Sequence, residues 1–392
     1  MERLYYNNQY INEFLADILD ISFVDDKYLV ELDKTAFFPG GGGQFCDLGT
    51  IDNIEVIDVF EKDKKIFHVL NKKPSNLKNV NCKINQKRRL DGMHQHFAQH
   101  ILSGCFYKLF GKNTTAFHLG KEFSTVDIEG ELSLDEIKKV EEYANYIINQ
   151  NIEVKTLIPN KNELKKIKIR RDLPDTDDDI RIIHIEGLDT NCCCGVHPKY
   201  TLEVKVIKIK RWEKHKNSTR VKFLAGDRAI NYLFKRDYYL TDVCRVLKST
   251  DKEATLYIDN LSNKLKDTKK QLLDLEKKVI DFEFESLLKN SKPYHSDKID
   301  NLNVIIKRYD ENINYLNKLC SKVNDVENTV MFLAYNNQIF LSCSKNLDID
   351  LKKLLPSNFK GGGSKFLIQG IVSNGLDDFF DNLDFNIRKE VL

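Results

Sequence analysis

The sequence has no run of apolar residues approaching the ~20 needed to span a bilayer. Its start, Met1-Glu2-Arg3-Leu4-Tyr5-Tyr6, lacks the charged-then-apolar pattern of a secretory leader. No membrane association is expected, and the expected location is cytoplasmic. No sign of charge dominates either: 61 Lys and Arg against 59 Asp and Glu leave +2. That excludes a globally basic nucleic-acid coat but not local basic patches. The nine cysteines are odd in number and spread along the chain, unlike the dense, even framework of a small disulfide scaffold. There is no internal repeat and no long low-complexity segment.

What is present is 41% hydrophobic and 31% charged residues over 392 positions, enough for real cores and too long for one ordinary domain. Residues 1–90 alternate short apolar runs with turn residues. Strands are expected over 28–32, 54–60 and 65–70, together forming a small β-barrel, with a glycine-rich loop from Thr35 to Gly49. From about Arg88 the spacing of Leu90, Met93, Phe97, Ile101 and Leu102 is helical. A strand is expected over 122–128, then a helix capped by Ser133 with Glu136 three residues on, then strands over 180–185, 201–209 and 219–224. Residues 91–235 therefore read as an α+β domain.

Leu261, Leu265, Thr268, Leu272, Leu275, Val279, Phe282 and Ser286 follow an alternating 4,3 spacing, the seam of a coiled coil. Residues 236–292 are read as a helical coiled-coil linker, ended by Ser291-Lys292-Pro293. Residues 293–392 form a separate α/β domain, with a hairpin around Asn336-Asn337 and a second glycine loop at Lys360-Gly361-Gly362-Gly363-Ser364. The fold class expected for the whole chain is α+β.

One constellation carries chemistry. His96 and His100 stand four residues apart on a helix and point the same way, one turn apart. His94 lies on a different face, in a supporting or solvent position. Near residue 193, Cys193-Cys194-Gly195-Val196-His197 supplies a thiol and an imidazole. Two His with one Cys and one His make an N₃S set suited to Zn²⁺. Cys192 or Cys194 could stand in for Cys193. Four protein ligands would make a closed site; three would leave a position for water.

The glycines Gly40–Gly43 lack a strand–helix context, so a dinucleotide fingerprint is a poor reading. Close backbone approach to a substrate is the alternative, with Thr35 and Gln44 offering side-chain hydrogen bonds. Basic residues cluster at Lys161, Lys165, Lys166, Lys168, Arg170 and Arg171, followed by Asp172, Asp175 and Asp177–Asp179. They cluster again at Lys205, Lys208, Lys210, Arg211, Lys214 and Lys216 around Trp212. Each is either a solvated face or a phosphate-binding patch.

These residues resemble a known family. Thr35-Ala36-Phe37-Phe38-Pro39-Gly40-Gly41-Gly42-Gly43-Gln44 resembles the TxFYPxGGGQ loop of free-standing alanyl-tRNA editing proteins. Arg89 to Ser103 looks like their metal helix. Cys193 to His197 looks like their CxGTH segment, shared with the editing domain of alanyl-tRNA synthetase. Arg220 to Gly226 matches the strand that closes that domain. Gly361-Gly362-Gly363 with Phe366 to Gly370 resembles the DHH-associated C-terminal domain of the long editing proteins. Gly40 stands where an acidic residue is common, Val196 where Thr is usual, and Gly92 and Phe97 where polar or smaller residues are frequent.

The resemblance implies a zinc-dependent deacylase of tRNA(Ala) mischarged with serine or glycine. Its metal ligands would be His96, His100, Cys193 and His197, and its substrate-loop residues Thr35 and Gln44. It implies an N-terminal barrel, a zinc editing domain, and a DHH-associated domain that binds tRNA or forms a homodimer. The logic is consistent, since an apolar synthetic pocket rejects an analogue bearing one extra hydroxyl only about a hundredfold. A second site with a partner for that hydroxyl, Thr35 being the candidate, closes the gap. The rivals are a metal-dependent hydrolase of another small ester or amide, and a zinc-stabilised tRNA-binding module with no hydrolysis of its own.

Overall fold

The computed structural model describes residues 1–392 except 172, 174–179, 296–298, 300, 311–314, 356, 374, 381–386 and 388–392. The acidic run Asp172, Asp175 and Asp177–Asp179 lies outside the described residues. The chain is α+β and divides into two units, Met1–Val243 and Cys244–Leu392. None of the described helices is long and apolar enough to cross a membrane.

In the first unit, seven strands form one antiparallel sheet: β1 Glu13–Ala16, β2 Ile18–Val24, β3 Lys27–Leu32, β4 Gly49–Ile51, β5 Ile54–Lys62, β6 Lys65–Leu70 and β7 Val80–Ile84. Their order is β1-β7-β4-β5-β6-β3-β2. Its end strands β1 and β2 are not paired with each other among the described residues, so hydrogen bonding gives an open sheet where the sequence pointed to a barrel. Alternation is cleanest in β7, where Val80, Cys82 and Ile84 are buried while Asn81 and Lys83 are exposed.

The helix α1, Gln86–Phe110, follows. Asn85 caps it by accepting from the Arg88 amide, and Gly111 ends it at φ +66°, the left-handed conformation that glycine adopts without strain. This helix is buried almost all round, because it serves two cores. Met93 packs with Val30, Phe37, Phe38 and Val196 against the seven-stranded sheet. Phe97, Ile101, Leu102 and Phe106 pack in a second core with α2, Leu134–Asn149. The capping box of Ser133 and Glu136 is formed as the sequence predicted.

The second core is closed by two antiparallel sheets. One contains β8 Thr114–Leu119, β9 Ser124–Glu129, β13 Ile207–His215 and β14 Ser218–Ala225, in the order β8-β9-β14-β13. The other contains β10 Val154–Leu157, β11 Ile182–Ile185 and β12 Asp189–Cys192 in sequence order. The strand expected over 201–209 is displaced: extended pairing starts only at Ile207 and runs to His215, as β13. Thr201–Val204 is a 3₁₀ turn, its Thr201 hydroxyl bonded to the carbonyls of Ile147 and Ile148. Lys205 at φ +66° then interrupts the extended backbone.

A helix α3, Gly226–Leu247, runs across the division between the units, and α4 spans Ala254–Lys289. In the second unit, α4 packs through Ile280 and Phe284. The 4,3 seam lies elsewhere on its surface, with Leu261, Leu265, Leu272, Leu275, Val279 and Phe282 exposed. The sheet of this unit contains β15 Lys292–Tyr294, β16 Leu302–Tyr309, β17 Thr329–Tyr335, β18 Gln338–Cys343, β19 Phe359–Ser364 and β20 Leu367–Val372, in the order β15-β16-β17-β18-β20-β19. Only β16 and β17 are parallel. The predicted hairpin is present, with Asn336 at φ +50° in its turn.

The second glycine loop is not a loop. Gly361, Gly362 and Gly363 lie in the edge strand β19, paired with β20. A Cβ at Gly361 would sit 2.3 Å from the Gln369 carbonyl oxygen, and one at Gly363 2.0 Å from that of Leu367. Gly361 and Gly363 thus allow close strand approach, whereas a Cβ at Gly362 would meet nothing.

Candidate metal centre

Two segments meet at the seam between the two cores of the first unit. One is the middle of α1; the other is the turn that follows β12. They bring His96, His100, Cys193 and His197 together, with one potential ligand atom from each lying within 4.8 Å of all the others. His96 Nε2 is 3.0 Å from Cys193 Sγ. Cys192 and Cys194 are not in this cluster, and of the three neighbouring thiols it is Cys193 that joins it.

The donor set fits a zinc ion. The imidazoles are almost fully buried, yet Nδ1 of His96, Nε2 of His100 and both ring nitrogens of His197 have no hydrogen-bond partner, and Nδ1 of His100 faces only the Asp189 carboxylate, at 3.5 Å. Buried polar atoms are rarely left so. Burial pushes the Cys193 thiol up, but His96, His197 and His100 outweigh it and hold it well below its ordinary pKa. The Gly195 amide also points at this sulfur, at 3.4 Å. Burial drives His197 down to about 3. A thiolate beside a neutral imidazole is the form in which these groups ligate a metal.

The Cys193–His197 segment is held from three sides. Arg181 donates to the carbonyls of Cys193 and Gly195, at 3.2 and 2.6 Å, and lies over the Tyr6 ring. Tyr6 donates its hydroxyl to the Cys194 carbonyl at 2.8 Å. Gln44 accepts the Val196 amide through Oε1 at 3.0 Å. The glycine loop is a tight turn in which the Gly41 and Gln44 amides each donate to the other's carbonyl, with Gly42 and Gly43 at φ +58° and +84°. A Cβ at Gly43 would strike the Phe117 ring at 2.7 Å. Gly92 leaves room for the Phe45 ring, and Phe97 and Val196 fill the cores.

A cleft of about 910 Å³ opens over the cluster. His96, His100, Cys193, Gln99, Asn191, Gly42 and Gly43 line it, and Arg3, Glu61, Lys64, Arg171 and Arg181 also border it. Thr35 is not among its lining residues. Its hydroxyl sits 2.8 Å from His68 Nε2 and accepts the Phe37 amide. Burial pushes His68 down to about 4, so the ring is neutral. Its Nδ1, 3.0 Å from the Val30 carbonyl, must carry the hydrogen, and Thr35 therefore donates to the bare Nε2. One lone pair on Thr35 is left over.

His94 is buried against the start of α3, where a Cβ at Gly226 would lie 2.6 Å from its Nδ1; it takes no part in the cluster. The second basic run is mostly paired with carboxylates: Lys205 with Asp227, Lys208 with Glu141, Arg211 with Glu213 and Lys214 with Glu131. In the first run, Arg170 is buried on Asp189 and Arg171 borders the cleft. Arg181 and Tyr6 were not singled out from the sequence. The signal for Arg181 was an arginine inside the apolar run Ile180-Arg181-Ile182-Ile183.

Gly195→Ala is expected to weaken zinc binding at least tenfold. Its Cβ would stand 2.7 Å from His96 Nε2 and 3.0 Å from Gln44 Oε1, so a candidate ligand would have to shift to make room. Competition with a chromophoric chelator measures this; unchanged affinity would mean that the segment yields without moving a ligand.

Residues 180–222 match the family model described as the threonyl and alanyl tRNA synthetase second additional domain. The chain is 29% identical to the alanyl-tRNA editing protein AlaX-L of Pyrococcus horikoshii, covering 97% of each. It is 29% identical to an alanine–tRNA ligase of Saccharolobus islandicus over 92% of this chain and 41% of the ligase. It is 28% identical to that of Methanococcus vannielii over 94% of this chain and 42% of the ligase. It thus spans about two fifths of the ligases it matches. The resemblance carried by the motifs extends along nearly the whole chain: this protein is a relative of the alanyl-tRNA editing proteins and, over its own length, of the alanine–tRNA ligases.

Proposed function

We propose that this protein is an alanyl-tRNA editing hydrolase that deacylates Ser-tRNA(Ala) and Gly-tRNA(Ala) with the help of zinc bound by His96, His100, Cys193 and His197. The observation that carries the reading is the convergence of these four donors at a cleft large enough for an aminoacylated terminal nucleotide. A zinc ion there would supply Lewis-acid chemistry or an anchor for the aminoacyl group. The chain's own residues do the rest. Arg171 offers a cationic group to the phosphodiester backbone at the cleft border, and Arg3 lies there paired with Glu61. Gln44 and Arg181 keep the Cys193–His197 segment in place. The spare lone pair of Thr35 suits a serine hydroxyl that donates, once substrate opens a path to it.

Deacylation of Ser-, Gly- and Ala-tRNA(Ala), with and without a chelator, tests this. The expected result is hydrolysis of the first two, sparing of Ala-tRNA(Ala), and loss of activity on metal removal. Tight binding of tRNA(Ala) without hydrolysis would favour the zinc-stabilised binding module instead, a reading that the four-donor set supports because it can close a tetrahedron.

The C-terminal part, residues 293–392, is proposed to bind tRNA or to dimerise, and the exposed seam of α4 is proposed to pair with a second copy. Leu272→Lys with Leu275→Lys should convert a dimer into monomers and leave zinc content intact, since the metal cluster belongs to the first unit. Sedimentation of the unmodified protein as a monomer at high micromolar concentration would end the dimer proposal.

A further inference from the structure

One buried ion pair touches the metal cluster without belonging to it. Asp189 opens β12, four residues before Cys193, and its side chain is 2% exposed. Its Oδ1 accepts from Arg170 Nε at 2.7 Å and its Oδ2 from Arg170 Nη2 at 3.3 Å. Arg170 is itself 3% exposed and anchored beside the strand, its amide donating to the Thr190 carbonyl. The other oxygen contact of Asp189 is His100 Nδ1, at 3.5 Å. A buried Asp–Arg pair rarely repays its desolvation by stability alone. This one sits against a candidate ligand, while His96 and His197 have no carboxylate beside them among the ion pairs described. The backbone is shaped for the contact. Gly104 stands one turn beyond His100 on α1, and a Cβ there would lie 2.9 Å from Leu188 Cγ and 3.2 Å from Asp189 Cβ. A larger residue would push β12 away from the helix.

We propose that Asp189, held by Arg170, is a positioning residue of the metal centre. Its carboxylate takes the Nδ1 hydrogen of His100 and so leaves the Nε2 lone pair for the ion. The two nitrogens of an imidazole point away from each other, so fixing one fixes what the other offers. Neutral imidazole has two tautomers, and only the one protonated at Nδ1 ligates through Nε2. Arg170 keeps the carboxylate charged and turned towards the ring. The inference rests on the reading that the four-residue cluster holds zinc.

The test is the zinc dissociation constant of the purified full-length protein, from chelator competition, for the unmodified chain, Asp189→Asn and Arg170→Met. The ligand-field spectrum after Co²⁺ loading and thermal unfolding of the metal-free protein are read in parallel. Asp189→Asn keeps the shape and removes the charge. It is expected to weaken zinc 10- to 100-fold and to alter the Co²⁺ spectrum, with Arg170→Met acting in the same direction. Unaltered zinc affinity and Co²⁺ spectrum in both variants, with only the unfolding temperature lowered, would make the pair a structural brace and overturn the proposal. A parent protein that takes up no zinc would overturn the metal site itself, a different outcome from a parent that binds and a variant that binds equally well.

Discussion

Cys193→Ala is expected to weaken zinc binding by at least a hundredfold, whereas Cys192→Ala and Cys194→Ala should leave it within a few-fold of the parent. A four-ligand zinc site is worth about 10–16 kcal/mol. One donor in four carries about 3 kcal/mol or more of that, which is a factor of about a hundred at room temperature. The sulfur carries more than an equal share, being the one anionic donor among three imidazoles and 3.0 Å from His96 Nε2. Zinc-to-protein stoichiometry after dialysis, followed by chelator competition, gives the numbers. Full occupancy in Cys193→Ala would reject the choice of cysteine and direct attention to the neighbouring thiols.

The largest effect on folding is expected from Arg89→Ala, at about 3–5 kcal/mol, the cost of removing one partner of a buried ion pair. Arg89 and Asp47 are 3% and 2% exposed. The guanidinium donates through Nε to both Asp47 oxygens, at 3.0 and 2.9 Å, and also to the carbonyls of Gln9 and Ala36. Asp47 in turn accepts the Phe38 amide at 2.6 Å. One side chain on α1 thus ties down the chain from Phe38 to Asp47, including the glycine turn. Removing it strands a buried carboxylate and two carbonyls. Arg89→Lys should recover little, because an ammonium cannot reach acceptors spread in the plane of a fork. Denaturant unfolding of the metal-free protein measures this; a loss under 1 kcal/mol would show that water replaces the arginine.

Much of the metal centre was legible because its signals are local. A four-residue spacing on a helix fixes the direction of His96 and His100 whatever the tertiary context, and the Cys193–His197 segment is short enough to act as one piece. Which cysteine joins the cluster came only from the family resemblance, which pointed to Cys193; spacing alone left three adjacent thiols that differ only in where the chain turns. Asp189 and Arg170 were missed for the opposite reason. Arg170 looked like one member of a basic run, and its burial depends on a strand nineteen residues away in sequence. The glycines at 361–363 misled because glycine marks both loops and crowded strands, and only the partner strand distinguishes them. The seam of α4 was readable from its period, but the sequence could not say that the packing face would run through Ile280 and Phe284 instead.

That α1 serves two cores has a consequence for the history and handling of the chain. A boundary drawn at residue 90 cuts neither half cleanly: without the helix, the N-terminal sheet loses Met93 and the cover over Phe37 and Phe38, and without the sheet, the helix bares the face beside its histidines. The two halves are therefore expected to be gained, lost and transplanted together, as a single cassette. In hydrogen exchange, the amides around His96 and His100 should open only when the whole first unit does, which would put these candidate ligands on the slowest-exchanging backbone of that unit.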